Sequence, residues 1–258
     1  MRDETHRQHD NVVIDQFSQQ AIPFSKLPGH LDAMQTIIEM SGVGDKDSVL
    51  DVACGPGLVA CEFAKVAHKV AGIDITEKIL GEARKHQRQM KLENLILDLG
   101  HVLPLPYADS EFTFVLSRYA FHHFLEPKKV LGEMSRVCQP GGTVMVVDVA
   151  LSDENVDAYN HMEKLRDPSH TRALTHLELE KLFYELELIH CKQGAYRVGV
   201  ELEQQLQASF PEVGDDAKIR LLIQDDIGIN AMGIEACKKD GAIHFSYPIS
   251  IYVGNKPV

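Results

Sequence analysis

The chain has 258 residues, 44% of them hydrophobic and 25% charged, the balance of a globular protein with a sizeable core rather than of a disordered or fibrous one. Its formal net charge of −12 offers no basic stripe to neutralise a phosphate backbone, which excludes nucleic acid as the principal partner. No apolar run approaches the roughly 20 residues that span a bilayer, and the opening "MRDETHRQHD" is too polar for a signal peptide, so a cytoplasmic location is expected.

In chain order, residues 1–44 are expected to form an N-terminal helical cap. The first 25 are polar with an interrupted apolar pattern, and "LPGHLDAMQTIIEMSGVG" reads as one amphipathic helix closed by glycines. From 45 to 150 short β-branched runs alternate with helical patterns, the mark of a parallel sheet covered by helices. Strands are predicted at "SVLDVA", "KVAGIDI", "NLILDL", "FTFVLSR" and "TVMVVDVA". Helices are predicted between them over Gly57–Ala67, Glu77–Met90 and Pro127–Val137, the last opening on proline and ending before "QPGG". Residues 151–172 and 199–240 read as cap insertions, the second helical and without a strand signal. Between them "THLELEKLFYEL" is a helix whose threonine cap and Glu178 make a capping box, and "ELIHCKQGAYR" is a sixth strand. The alternating "AIHFSYPISIYV" within 241–258 is a seventh strand, expected antiparallel at or near a sheet edge. The whole reads as one α/β domain: a doubly wound, Rossmann-like, mostly parallel seven-stranded sheet with its crevice at the carboxyl ends of the strands.

The connection after the first strand carries the first chemical signal. Gly55, Gly57 and Ala60 fit GxGxxG/A, which lets a backbone come close to a cofactor, although a plain glycine turn satisfies the same pattern. Asp74 ends the next strand, where a carboxylate can accept from both ribose hydroxyls of an adenosine. It can also cap the following helix, a role that Thr76 is expected to fill. Asp51, four residues before Gly55, would repel the pyrophosphate of a dinucleotide such as NAD and attract a cationic ligand. Five cysteines without CxxC spacing and thirteen histidines without an HExxH pattern suggest neither a disulfide framework nor a metal site.

Five motifs in order, "VLDVACGPG", "GIDIT", "LPYADSEF", "SRYAFHHF" and "EMSRVCQPGGTVMVVD", resemble class I S-adenosyl-L-methionine (SAM)-dependent methyltransferases. They are most similar to the ubiquinone/menaquinone C-methyltransferase-like group that acts on small molecules. The resemblance implies SAM as cofactor, with Asp51, Gly55 and Gly57 around its methionine part, Asp74 on the ribose, and the chain near Ser117 passing the amino acid end. Ala53, Ile75 and Val102 are implied in the same site. The acid that the family places after the third strand is here in "GHV", so His101 stands at the adenine position, as an acceptor through its neutral nitrogen or with Asp98 taking its place. A second departure puts Thr113 after Phe112, where the family has an acid.

Acceptor residues are harder to read. His123, with His122 beside it, is a candidate to position the acceptor or to take a proton, and packing explains either ring equally. Phe17 can cover the sulfonium, worth about 0.5 to 2 kcal/mol, or simply pack. Arg166, His170 and Arg172 sit in a segment similar to a bacterial subset of the family and are candidate substrate anchors; satisfying loop carbonyls and Asp167 is the competing role. Phe17, Tyr119, Phe121, Phe124 and Tyr159 would suit a hydrophobic or aromatic acceptor. The expected activity is methyl transfer to a small organic acceptor by in-line displacement, with a homodimer compatible with the chain. The competing functions are a SAM-binding protein without turnover and an NAD(P)-dependent oxidoreductase.

Overall fold

The computed structural model describes residues 4–25 and 33–258, without the side chains of residues 21–25. Its sheet follows the order β3-β2-β1-β4-β5-β9-β7. The first five strands are β1 (Ser48–Val52), β2 (Lys69–Asp74), β3 (Leu95–Leu99), β4 (Phe112–Arg118) and β5 (Cys138–Leu151), and neighbours among them pair in parallel. The closing strand β9 (Ala242–Asn255) runs antiparallel between β5 and β7 (Ile189–Glu201). It lies one position in from the edge.

Strand alternation explains how both faces are filled. Along β4, Phe114 and Leu116 enter one core while Val115 enters the other, and along β5 Met145 and Val147 oppose Val144 and Val146. A parallel sheet buried on both sides needs such continuous apolar runs. The helices supply the cover: α3 (Leu58–Ala64) after β1, α4 (Glu77–Met90) after β2 and α5 (Pro127–Val137) after β4. In α5, Val130, Leu131, Met134 and Val137 are buried, an i, i+1, i+4, i+7 stripe on the sheet side.

Several boundaries differ from the sequence reading. The N-terminal segment is one long helix, α1 (Glu4–Ser25), and of the predicted 27–44 helix the structure shows α2 (Met34–Ser41) with Gly42 in the left-handed conformation after it. Residues 27–32 of that prediction lie outside the described residues. In the second insertion a short strand β8 (Cys237–Lys239) pairs with β9 across Asp240 and Gly241, both at positive φ. The expectation of no strand there was wrong. The Asp-Gly pair is the turn chemistry of a two-residue hairpin. The insertions contribute α6 (Val156–Arg166), α8 (Leu202–Gln207) and α9 (Asp215–Asp226), α6 and α9 packing together. A two-residue strand, β6 (Leu174–Thr175), precedes α7 (His176–Glu185), whose capping box between Thr175 and Glu178 forms as predicted.

Gly57 shows why the turn after β1 needs glycine. Its φ is 72°, and a Cβ there would stand 2.7 Å from the Cβ of Ala83 on α4. Glycine therefore sets how closely α3 approaches α4. Gly57→Ala is expected to destabilise the fold by about 2 kcal/mol, combining overpacking with a left-handed backbone. An unchanged urea midpoint would show that α4 yields freely at Ala83.

Candidate active site

A cavity of about 250 Å³ opens at the carboxyl ends of β1, β2, β4 and β5 and is walled by α1, α6 and the β7–β9 ladder. One end is built by turns. Ala53, Gly55 and Gly57 all have positive φ, so the chain reverses sharply between β1 and α3. Asp74 holds this reversal: its Oδ2 accepts from the Gly55 N–H at 2.9 Å and its Oδ1 from the Thr76 N–H at 2.9 Å. Its backbone carbonyl accepts from the Gly100 N–H at 2.9 Å, which ties in the turn after β3. Burial raises the Asp74 pKa and the donated N–H groups oppose that rise. Thr76 is the first residue of the α4 cap but its side chain makes no capping bond. The capping acceptor is Asp74 instead.

Of the predicted cofactor residues, Ala53, Gly55, Asp74, Ile75, His101 and Val102 line the cavity. The other three do not. Gly57 faces α4, as described, and Ser117 is buried within the sheet with its hydroxyl donating to the Val52 carbonyl at 2.9 Å. Asp51 is buried beneath the glycine turn rather than on the cavity wall, with Oδ2 lacking any partner. Burial pushes its pKa up to about 7, against the pull of the Ala60 N–H and Arg118 and with a further push from Asp74. Asp98 is engaged by the Tyr107 hydroxyl at 2.8 Å and is not part of the cavity lining. His101 lies 3.6 Å from Asp10 of α1.

The other end of the cavity carries aromatic rings and buried polar groups. His122 and His123 sit in a 3₁₀ turn (Phe121–His123) directly after β4. His122 Nδ1 meets Asp148 Oδ1 at 2.6 Å. Asp148 is itself fixed by the N–H groups of Phe121 and Val149, each at 2.7 Å. Burial pushes the His122 pKa down, but the charge and hydrogen bond of Asp148 outweigh it and the net shift is upward. Among the described residues no carboxylate is hydrogen-bonded to the His123 ring, whose Nδ1 meets the Ser169 carbonyl and hydroxyl at 3.1 Å each. Burial and the neighbouring His122 lower it to about 4. The order expected from sequence, His123 ahead of His122, is therefore reversed on base strength.

Phe17 lies edge-on to His123 with centroids 5.0 Å apart and lines the cavity. Tyr119, Phe124 and Tyr159 line it too, whereas Phe121 packs in the core on the opposite side of the sheet. Of the three expected anchors only Arg166 reaches the wall, and its guanidinium is forked onto Glu163 at 2.6 to 3.0 Å and donates to Ser209 at 3.1 Å. His170 is buried off the cavity, its Nε2 on Asn160 at 2.7 Å, and burial with the nearby His122 and His123 lowers its pKa to about 2. Arg172 pairs at the surface with Glu178 at 2.7 Å. Neither is an anchor. Asp167 organises this loop instead, accepting from the Ser169 N–H at 2.9 Å and from Gln20 of α1 at 3.1 Å.

Several residues of the site are absent from the sequence reading, some of them because their partners lie far along the chain. Asp148 is 26 residues from His122, and Glu163 lines the cavity while paired with Arg166. Arg118 stacks 4.0 Å over the Tyr119 ring and donates to its hydroxyl at 2.9 Å. The α1 face of His6, His9, Asp10, Val13, Phe17 and Gln20 has helical spacing but is mostly polar, so apolar periodicity does not mark it. Among the described residues no group of three His, Cys, Asp or Glu side chains is placed to hold a metal ion.

A family model described as a methyltransferase domain matches residues 44–198. The chain is 32% identical over 144 residues to the uncharacterized methyltransferase YcgJ of Bacillus subtilis, covering 55% of this chain and 57% of that protein. It is 29% identical over 143 residues to the demethylmenaquinone methyltransferase of Halalkalibacterium halodurans, covering 49% and 58%. The matches thus span little more than half the length of these relatives. The crystal structure of YcgJ superposes with a TM-score of 0.82 at 21% identity, over 89% of this chain and all of that one. Phosphoethanolamine N-methyltransferase 2 of Haemonchus contortus, solved with SAM, superposes at 0.65 with 14% identity, over 90% of this chain and 54% of that one. Both likenesses show the fold.

The unpartnered carboxylate sets a stability test. Asp51 has a folded pKa of about 7 against 3.8 for an exposed aspartate, so between these values the unfolded chain has lost a proton that the folded chain keeps. Stability must then fall as pH rises through this window, by up to about 1.4 kcal/mol per pH unit from this group, and level off above it. Asp51→Asn is expected to flatten that component in denaturant melts of the ligand-free protein from pH 4 to 8. Parallel wild-type and variant profiles would mean that Asp51 is not the titrating group.

Proposed function

The chain belongs to the methyltransferase-domain family, whose methyl donor is SAM, and on that premise we propose that it methylates a small, hydrophobic or aromatic organic acceptor by in-line displacement. The observation that carries this reading is the division of one cavity into a negatively charged turn region at Asp74 and an aromatic chamber holding His122. When bound, SAM supplies a methyl group already activated by a positively charged sulfur.

The residues present suit such a donor. Each Asp74 oxygen uses one lone pair on a backbone N–H and keeps another for a ribose hydroxyl. The positive-φ turn at Ala53 and Gly55 presents backbone rather than side chain to the cavity. Asp74, and Asp51 beneath the turn once ionised, give this end a field that favours a cation and disfavours a pyrophosphate. That is the physical reason for SAM over NAD.

Holding the acceptor close and aligned supplies much of the rate, because the leaving group needs no help. If the acceptor must lose a proton, His122 is the base: its Nδ1 is held by Asp148, which leaves Nε2 to act and stabilises the imidazolium as it forms. His123, lowered to about 4 and bonded to Ser169, is a positioning residue. Arg166, neutralised by Glu163, shapes the chamber without presenting a free charge. A chamber without an uncompensated cation on α6 supports an uncharged acceptor, and the net charge of −12 argues against a polyanionic one.

Two measurements test this. Asp74→Ala removes two charge-assisted hydrogen bonds to ribose, worth about 1.5 to 3 kcal/mol each, and calorimetry with S-adenosylhomocysteine should show at least a hundredfold loss; full affinity would dismiss the ribose role. Methyl transfer from labelled SAM across a panel of phenols, quinols and enols should give turnover whose acid limb lies above pH 6.5, since Asp148 raises His122. A limb near pH 4 would point to His123, and tight SAM binding with no turnover on any acceptor would favour a binding protein.

A further inference from the structure

We propose that Tyr159 of α6 and Gln205 of α8 form a second polar subsite in the acceptor chamber, which binds a hydroxyl group of the acceptor remote from the atom that is methylated. The inference rests on the acceptor reading above. It narrows the acceptor to an aromatic molecule that also carries a neutral hydroxyl at its far end.

Buried polar side chains are nearly always paired, so one that is not marks a place where a ligand has something to gain. Most groups at this end of the cavity are paired. The Arg166 guanidinium is forked onto Glu163 and reaches the Ser209 hydroxyl at 3.1 Å, and the Tyr247 hydroxyl donates to Glu163 Oε1 at 3.4 Å. Tyr159 is the exception. It lines the cavity, is only 2% exposed, and its hydroxyl makes no hydrogen bond with the described residues.

Gln205 lines the same cavity and is 5% exposed. The Ser209 hydroxyl spends its one proton on the Gln205 backbone carbonyl at 2.6 Å. It can therefore only accept from the side-chain amide, which meets it through Nε2 at 3.5 Å. The amide oxygen is left over, without a partner among the described residues.

Both groups stand at one end of the chamber. Tyr159 precedes Glu163 by one turn on the same face of α6, and Gln205 is joined to the Arg166–Glu163 pair through Ser209. The Tyr159 ring lies 6.4 Å from that of His170, which in turn lies 5.5 Å from that of His122. An acceptor whose reacting group faces His122 thus carries its far end toward Tyr159 and Gln205.

The pair also selects the group it binds. A phenol O–H and an amide C=O offer one donor and one acceptor, and a hydroxyl uses both by accepting from Tyr159 and donating to Gln205. A carbonyl would leave the amide oxygen unpaired. A carboxylate would meet Arg166 already neutralised and would lie beside the charge of Glu163. Such a site discriminates strongly, because an analogue without the hydroxyl leaves both protein groups desolvated and unpaired.

The test uses naphthols as probes, with S-adenosylhomocysteine at saturation so that the cofactor end is filled. Calorimetry compares the naphthols with the isomeric dihydroxynaphthalenes on the full chain, on Tyr159→Phe and on Gln205→Met, with a melting curve for each. At least one diol should bind the wild type about tenfold more tightly than its parent naphthol, the size of one to two hydrogen bonds, and each variant should erase that preference. Tyr159→Phe removes a hydroxyl that has no partner, so its melting temperature should equal or exceed that of the wild type. A fall of more than about 3 °C would reveal a structural hydroxyl and overturn the proposal. Equal affinity for diols and naphthols in the wild type would overturn it too, as would a diol preference that survives in both variants. A diol preference without methyl transfer would uphold the subsite and count against the activity, whereas a chain that binds neither class would discard the subsite together with the aromatic acceptor.

Discussion

The rest of the site depends on a single buried carboxylate. Asp74 ends β2, and through its two oxygens and its backbone carbonyl it joins the turn after β1, the start of α4 and the turn after β3. Burying a carboxylate is costly unless its lone pairs are used, and here two fixed N–H groups offset part of that cost. The three loops that meet at the cavity mouth are consequently one rigid unit. Each would otherwise be a separate connection with no fixed position relative to the other two.

A second carboxylate gives that unit its electrical character. Asp51 is buried below the turn with an oxygen that has no partner, and Asp74 adds repulsion to it. Two acids in one buried region are a liability in the ligand-free chain. They become an asset once a cation arrives, because its charge favours the ionised carboxylates against the desolvation that raises their pKa. The fold thus keeps an unfavourable arrangement at the place where binding can relieve it, the general pattern for perturbed groups at functional sites.

How far the sequence reveals this depends on whether the controlling interaction is local. The parallel strands are legible because burial on both faces demands β-branched runs, and α4 and α5 begin and end where predicted because Pro127 and the flanking caps act within a few residues. Asp74, the glycine turn and the capping box at Thr175 are local as well. Elsewhere the reading fails for identifiable reasons. The formal charges of Arg166 and Arg172 suggest anchors, but Glu163, one turn away on α6, and Glu178 neutralise them, near neighbours that the sequence reading did not weigh. His122 and His123 are adjacent in sequence and opposite in chemistry because Asp148 lies beside one ring and Ser169 beside the other. β8 is a different kind of miss, since the Asp240-Gly241 turn is a local signal that a helical reading of the surrounding residues passed over.

The polar face of α1 has a physical rationale of its own. A helix that covers a cavity by burying an apolar stripe gains about 25 cal/mol per Å² and is correspondingly hard to lift. Here the contacts at His6, His9, Gln16 and Gln20 are hydrogen bonds, two of them to backbone carbonyls, each with a net value of about 1 kcal/mol because water replaces them when they break. Such a roof can be strong in total and still open in steps, each lost bond being exchanged for one to solvent. For the acceptor proposed above, entry and product departure would both require that exchange. A cover held by polar contacts over a chamber lined by aromatic rings reconciles a dry reaction space with access to it.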